Sequence, residues 1–290
     1  MNTTFWGPSG WQLLHTLTFI YPIKPSFNDK VKMREFMNSL CFILPCKYCR
    51  LSFTKYTKTL LIDNYLDSRE LIIEWLYKIH NKINKKLRIQ GFCKHSNPEL
   101  SRIITHYESI VENITNILNN TTSQTINNQE RRIKEVINYI CNLGKDFLGS
   151  IIFNYQGYFT NCHTGNEKVK IISVYNTFFN SIIPLICSYI AKFCKDGKDC
   201  VARYKIPKFN IRNILTQNEP YSKLVKWFYK CDDLCALEDK NGFKLYENYE
   251  DYEKYFSKHI VMSCDNPKIK NSKTIKSCRK SIIHKTKTKK

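Results

Sequence analysis

The chain has 290 residues, with 46 Lys and Arg against 25 Asp and Glu, a formal net charge of +21. With 42% hydrophobic and 13% aromatic residues it is not a wholly disordered chain, and only 9 Gly and 9 Pro argue against a turn-rich β-sandwich or barrel. Residues 1–100 carry a net +8 and residues 101–265 a net +3, while residues 266–290 hold 10 basic and no acidic residues, so nearly half of the excess charge is a tail.

The first helix is predicted over residues 8–20, with Pro8 at its start and Trp11, Leu14, His15, Thr18 and Phe19 at helical spacing. Tyr21-Pro22-Ile23-Lys24-Pro25 ends it. A second helix is expected from Asp29 to Leu44, and Pro45 separates it from a third that opens at Cys46 and runs toward Tyr56. A fourth begins near Asp67 or Ser68 and carries Leu71, Trp75, Ile79, Ile83 and Leu87, with Gly91 beyond its end; a fifth starts at Asn97-Pro98. Residues 113–129 are rich in Asn and Thr and read as a loop. The pattern from Glu130 to Ile190 is mostly helical, residues 195–220 read as irregular, and 221–264 as two short helices. The expected organisation is therefore an all-α unit over 1–110, a linker over 111–129, a mostly helical C-terminal domain over 130–265 and a disordered basic tail over 266–290.

Thirteen cysteines imply an oxidising compartment, a metal or redox chemistry. The start, Met1-Asn2-Thr3-Thr4, lacks the basic region of a signal peptide, so export by a signal of its own is not expected. Phe178–Phe193 is the most apolar stretch; interrupted by Asn180, Ser181 and Pro184, it falls short of the roughly 20 apolar residues of a membrane span.

Three local constellations could carry chemistry. Pro45-Cys46-Lys47-Tyr48-Cys49-Arg50 puts two cysteines three residues apart at a helix start, where the helix N-terminus and two cations favour a thiolate. Half of a zinc site is the competing reading; it needs further ligands such as Cys41, or Cys93 with His95. Trp11 and His15 share a helix face and could stack on a flat cofactor, or could simply pack in a core. His80 and Asn84 share another face, followed by Lys85, Lys86 and Arg88, which suits a nucleotide and its phosphates or, equally, a polar surface.

In order and spacing these motifs resemble the ERV/ALR family of FAD-linked sulfhydryl oxidases. The resemblance rests on Trp11-x-x-x-His15, Tyr21-Pro22, Pro45-Cys46-x-x-Cys49 and Trp75…His80-Asn81-Lys82-Ile83-Asn84-Lys85-Lys86-Leu87, over residues 5–107. Trp6-Gly7-Pro8 and the long C-terminal region are most similar to viral, giant-virus-type members. The resemblance implies a four-helix bundle that binds FAD, a short fifth helix and a homodimer. It implies thiol oxidation by O₂ to a disulfide and H₂O₂, with Cys46 and Cys49 as the catalytic pair and no metal. Trp11, His15, Tyr21, His80, Asn81, Asn84 and Lys85 would line the FAD site. Where the family has Leu-Gly-Lys-Pro this chain has Leu87-Arg88-Ile89-Gln90, so a neighbouring cation takes the place of the usual Lys. Residues 50–92 contain no cysteine with which Cys93 could form the family's structural disulfide.

The implied partners are reduced protein thiols and O₂, with weak polyanion contact through the tail and no membrane span. The implied location is a virus factory in the host cytoplasm, or the virion. A second, mobile dithiol is common in the family; Cys194 and Cys200 are the expected shuttle, ahead of Cys231 and Cys235. The alternative is a cysteine-rich, zinc-containing binding protein whose basic tail contacts nucleic acid.

Overall fold

A computed structural model describes residues 3–92, 95–119, 126–155, 165–193, 211–217, 220–235 and 249–258. The described residues are all-α, with no strand. The shuttle candidates Cys194 and Cys200, Cys93 and the tail 266–290 lie outside them.

Helix α1 spans Thr3–Phe19 and is the axis of the fold. Every residue from Leu13 to Phe19 is buried, as expected of a helix surrounded by protein rather than lying on its surface. It starts five residues before Pro8, which sits inside the helix rather than at its first position. Tertiary contacts hold the extra residues: Phe5 packs edge-on against Tyr255, and Trp6 lies 5.7 Å from Phe147. Helix α2 (Phe27–Ile43) opens on a capping box, with Ser26 Oγ accepting from the Asp29 amide at 3.2 Å and Asp29 Oδ2 accepting from the Ser26 amide at 2.8 Å. Helix α3 (Lys47–Thr59) follows, then a short 3-10 turn at Ile62–Tyr65 and helix α4 (Arg69–Ile89), whose N-cap Ser68 accepts from the Leu71 amide. Trp75 anchors α4: its indole N–H donates to the Leu60 carbonyl at 2.9 Å and its ring meets Phe53 edge-on.

The fifth helix is not short. Helix α5 spans Leu100–Asn119 and α6 spans Ile126–Leu143, so the expected linker over 111–129 begins well inside a helix. Ile110 and Ile114 on α5 are buried, and that apolar stripe outweighs the local Asn and Thr content. Nor do residues beyond 130 form a separate body. Helices α7 (Lys145–Phe153) and α8 (Gly165–Ile190) join the same hydrophobic core as α1 and α2. Helix α7 docks on α1 through small residues: a Cβ on Gly10 would stand 3.0 Å from the Phe147 ring, and one on Gly144 would stand 2.6 Å from Leu13. The Phe147 amide donates to Ser9 Oγ at 2.9 Å. Helix α8 lies along α2, with Phe178 stacked on Phe36 at 5.0 Å and Ser188 hydrogen-bonded to Asp29. It is long and apolar enough to cross a membrane, but its buried apolar residues, among them Tyr175, Phe178, Phe179, Ile182 and Ile186, belong to the protein core. Helices α9 (Arg212–Leu215), α10 (Pro220–Cys235) and α11 (Tyr249–Ser257) follow; α10 and α11 pack on α7, and α9 packs against α8 and α10.

Candidate active site

Pro45 is buried and leaves Cys46 extended (φ −113°, ψ 125°) as the N-cap of α3, with Cys49 in the first turn. The Cys49 and Arg50 amides donate to the Cys46 carbonyl, both at 3.0 Å, and Arg50 Nη1 donates to the Leu44 carbonyl at 2.6 Å, which pins the entry to the helix. Both cysteines are half-buried thiols. Cys46 is held down to about 6, first by the thiol of Cys49 donating to it and then by the backbone amides of Cys49 and Tyr48. Cys49 is pushed up by that same hydrogen bond and by burial, so the pair keeps one proton and keeps it on Cys49. Lys86 opposes that rise. Its Nζ donates to Ser52 Oγ at 2.5 Å, one turn beyond the pair.

Helix α4 also builds a second cluster against α1. His80 stacks on Trp11, with ring centroids 3.7 Å apart and planes 9° from parallel. Its Nδ1 is 3.2 Å from His15 Nε2, so one ring donates and the other accepts. His15 is 1% exposed, and its other nitrogen, Nδ1, is buried without a protein partner. Burial holds His15 down to about 3, with further lowering by His80 and His106, and burial holds His80 down to about 4. Both rings are neutral at ordinary pH. From His80 to Lys86 is six residues, about 9 Å along the helix, so one helix serves both clusters.

Of the residues expected to line a cofactor site, Trp11, His15 and His80 are brought together. Asn81 and Asn84 are half-buried just along α4. Lys85 is exposed, whereas Lys86 turns toward α3 and acts on Cys49. Tyr21 has a different task. It is buried, its hydroxyl donates to the Leu66 carbonyl at 3.0 Å, and its carbonyl accepts from Arg69 Nε, which fastens the end of α1 to the start of α4. Sequence reasoning missed Tyr107 on α5, which stacks on His15 at 4.9 Å and is pushed up to about 12 by burial. Its only sequence signal is its place, three residues before Ile110, on the apolar face of α5. Among the described residues no group of three or more His, Cys, Asp or Glu side chains gathers into a metal site, so the zinc alternative finds no ligand set there.

A bundle that sets a Cys-x-x-Cys helix start beside a buried aromatic and histidine cluster defines a helical dithiol domain. Residues 8–102 match the model of the Erv1 / Alr family. The chain is 38% identical over 85 residues to a "probable FAD-linked sulfhydryl oxidase" of Acanthamoeba polyphaga mimivirus, covering 29% of this chain and 59% of that protein. It is 39% identical over 88 residues to the mitochondrial FAD-linked sulfhydryl oxidase of Saccharomyces cerevisiae, covering 30% of this chain and 44% of that protein. A putative FAD-linked sulfhydryl oxidase of Invertebrate iridescent virus 6 is 29% identical over 87 residues, 78% of its own length. The chain thus spans about half the length of the first two relatives, and more of the third.

Proposed function

We propose that this protein is an FAD-dependent thiol oxidase that forms disulfides in protein substrates, with O₂ as the final acceptor. The observation that carries the reading is the asymmetric Cys46–Cys49 pair, placed across α4 from a flat cluster with an unpartnered buried nitrogen. The residues present fit a flavin nucleotide. His15 Nδ1 is a polar atom awaiting a partner, Trp11 and His80 offer flat faces, the Asn81 and Asn84 amides lie within a turn of His80, and Lys85 supplies a cation at the solvent edge. FAD, when bound, supplies a two-electron acceptor that O₂ can reoxidise.

The chain's own residues divide the work as thiol chemistry requires. In the oxidised pair a substrate thiolate attacks the sulfur at the N-cap, Cys46, and forms a mixed disulfide as the Cys46–Cys49 bond breaks. A second substrate thiolate then displaces Cys46, which leaves readily because the Tyr48 and Cys49 amides and the Cys49 thiol stabilise its charge. The substrate has lost two electrons and two protons, and the pair has gained them. Lys86 stabilises a negative charge on Cys49 when that thiol is in turn oxidised. Over a cycle two thiols and O₂ become one disulfide and H₂O₂.

Reduced protein thiols as substrates and O₂ as acceptor are supported by the family of residues 8–102. A homodimer is supported by the same resemblance, but the chain's own α7 and α8 cover α1 and α2, so a dimer must use other faces. The test is the cofactor itself. The purified full chain should carry about one FAD, and His80→Ala with Asn84→Ala should lower both the flavin content and the Tm, because a bound ligand stabilises by mass action. A colourless wild-type protein that takes up no added FAD would refute the reading.

A further inference from the structure

Two contacts fix how α3 and α4 lie against each other: Lys86 reaches Ser52, and Lys82 sits over the Tyr56 ring at 6.0 Å. The pairs run in opposite directions in one register. Continued by a turn, that register sets Ile89, the last residue of α4, level with Cys49, and Phe92 follows just past the helix end. The end of α4 is a Schellman cap: the Gly91 amide donates to the Arg88 carbonyl at 3.0 Å and the Phe92 amide to the Leu87 carbonyl at 2.9 Å, with Gly91 at φ +78°. Such a cap commonly folds its last apolar side chain back on the helix. Here Phe92 is 69% exposed, Ile89 is 64% exposed, and on α3 Leu51 and Tyr48 are 60% and 40% exposed. Four large apolar side chains are therefore exposed, Tyr48 and Leu51 on α3 beside the redox pair in sequence, Ile89 at the end of α4 and Phe92 in its cap.

The charge on these two stretches of chain has one sign. Residues 47–59 contain Lys47, Arg50, Lys55 and Lys58, and residues 79–92 contain Lys82, Lys85, Lys86 and Arg88; neither stretch contains a carboxylate. We propose that this apolar strip with its cationic rim is the docking surface for a reduced polypeptide whose cysteines lie in an acidic, apolar segment. The proposal rests on the oxidase reading and names its substrate class. Charge complementarity chooses the occupant: the chain's own tail, residues 266–290, is cationic throughout and is repelled.

The probes are two short synthetic dithiol peptides with the same apolar residues, one flanked by Asp and Glu and one by Lys. Serine versions of both serve for binding without chemistry. For the full chain, fluorescence anisotropy should show the acidic serine peptide binding about tenfold tighter than the basic one at low salt, with the gap closing at high salt. With the dithiol peptides the same preference should appear in KM. Leu51→Ser with Phe92→Ser, and separately Lys55→Glu with Lys82→Glu, should each weaken acidic-peptide binding about fivefold and leave dithiothreitol oxidation unchanged. Equal binding of both peptides, or variants that bind like wild type, would overturn the proposal. So would a shift from dimer to monomer in sedimentation for the Leu51→Ser, Phe92→Ser variant, which would make the strip a contact between copies. Failure of dithiothreitol oxidation in the wild type would instead count against the oxidase reading alone.

Discussion

At the scale of single residues, the site depends on burial acting on groups that local spacing already pairs. Cys46 with Cys49, and Trp11 with His15, are legible because three and four residues along a helix fix a shared face. That His80 stacks on Trp11, that Tyr107 backs His15, and that Lys86 rather than Lys85 serves the cysteines all depend on helix rotation and pairing, which local spacing does not encode. The buried histidines have a consequence for stability. His15 and His80 titrate well below 6.5 in the fold and near 6.5 when unfolded, so the unfolded chain binds more protons between those values. Their contribution is complete above about pH 6.5 and is lost as pH falls toward the folded values. The denaturant midpoint should drop between pH 6.5 and pH 5, and His80→Phe, which keeps a ring against Trp11, should flatten that drop. An unchanged pH profile in His80→Phe would show that the ring is not held neutral by burial.

At the scale of elements, α1 joins the family-like bundle to the rest of the chain. Its helical spacing of Trp11, Leu14, His15, Thr18 and Phe19 reads as one helix, but the sequence does not say that partners come from both ends of the chain. The early helices were readable from caps and proline breaks at Ser68, Pro22 and Pro45. The start of α1 and the length of α5 were not, because contacts of Phe5, Trp6, Ile110 and Ile114 with distant helices decide them. The close approach of α7 gives a direct check. A methyl at Gly144 would overlap Leu13, so Gly144→Ala should cost about 1–3 kcal/mol in chemical denaturation. Leu13→Ala in the same chain should recover part of that loss, giving a non-additive double-mutant cycle. Strict additivity would mean that the two helices do not meet there.

At the scale of the whole molecule, one core runs from Trp6 to Phe256. Removing everything after Asn119 would uncover Phe36 and Leu13 along the faces that α7 and α8 cover. Such a fragment should self-associate or precipitate in size-exclusion chromatography, and a well-behaved monomer with the Tm of the full chain would contradict a shared core. The central claim is that Cys46 and Cys49 pass electrons from thiols to O₂ within this fold. The measurement that tests it most directly is oxygen uptake by the flavin-loaded full chain with dithiothreitol. The wild type should consume O₂ with H₂O₂ formed in equal amount, while Cys46→Ser and Cys49→Ser each lose on the order of a hundredfold or more in turnover with FAD still bound. Wild-type turnover in either variant would contradict the account.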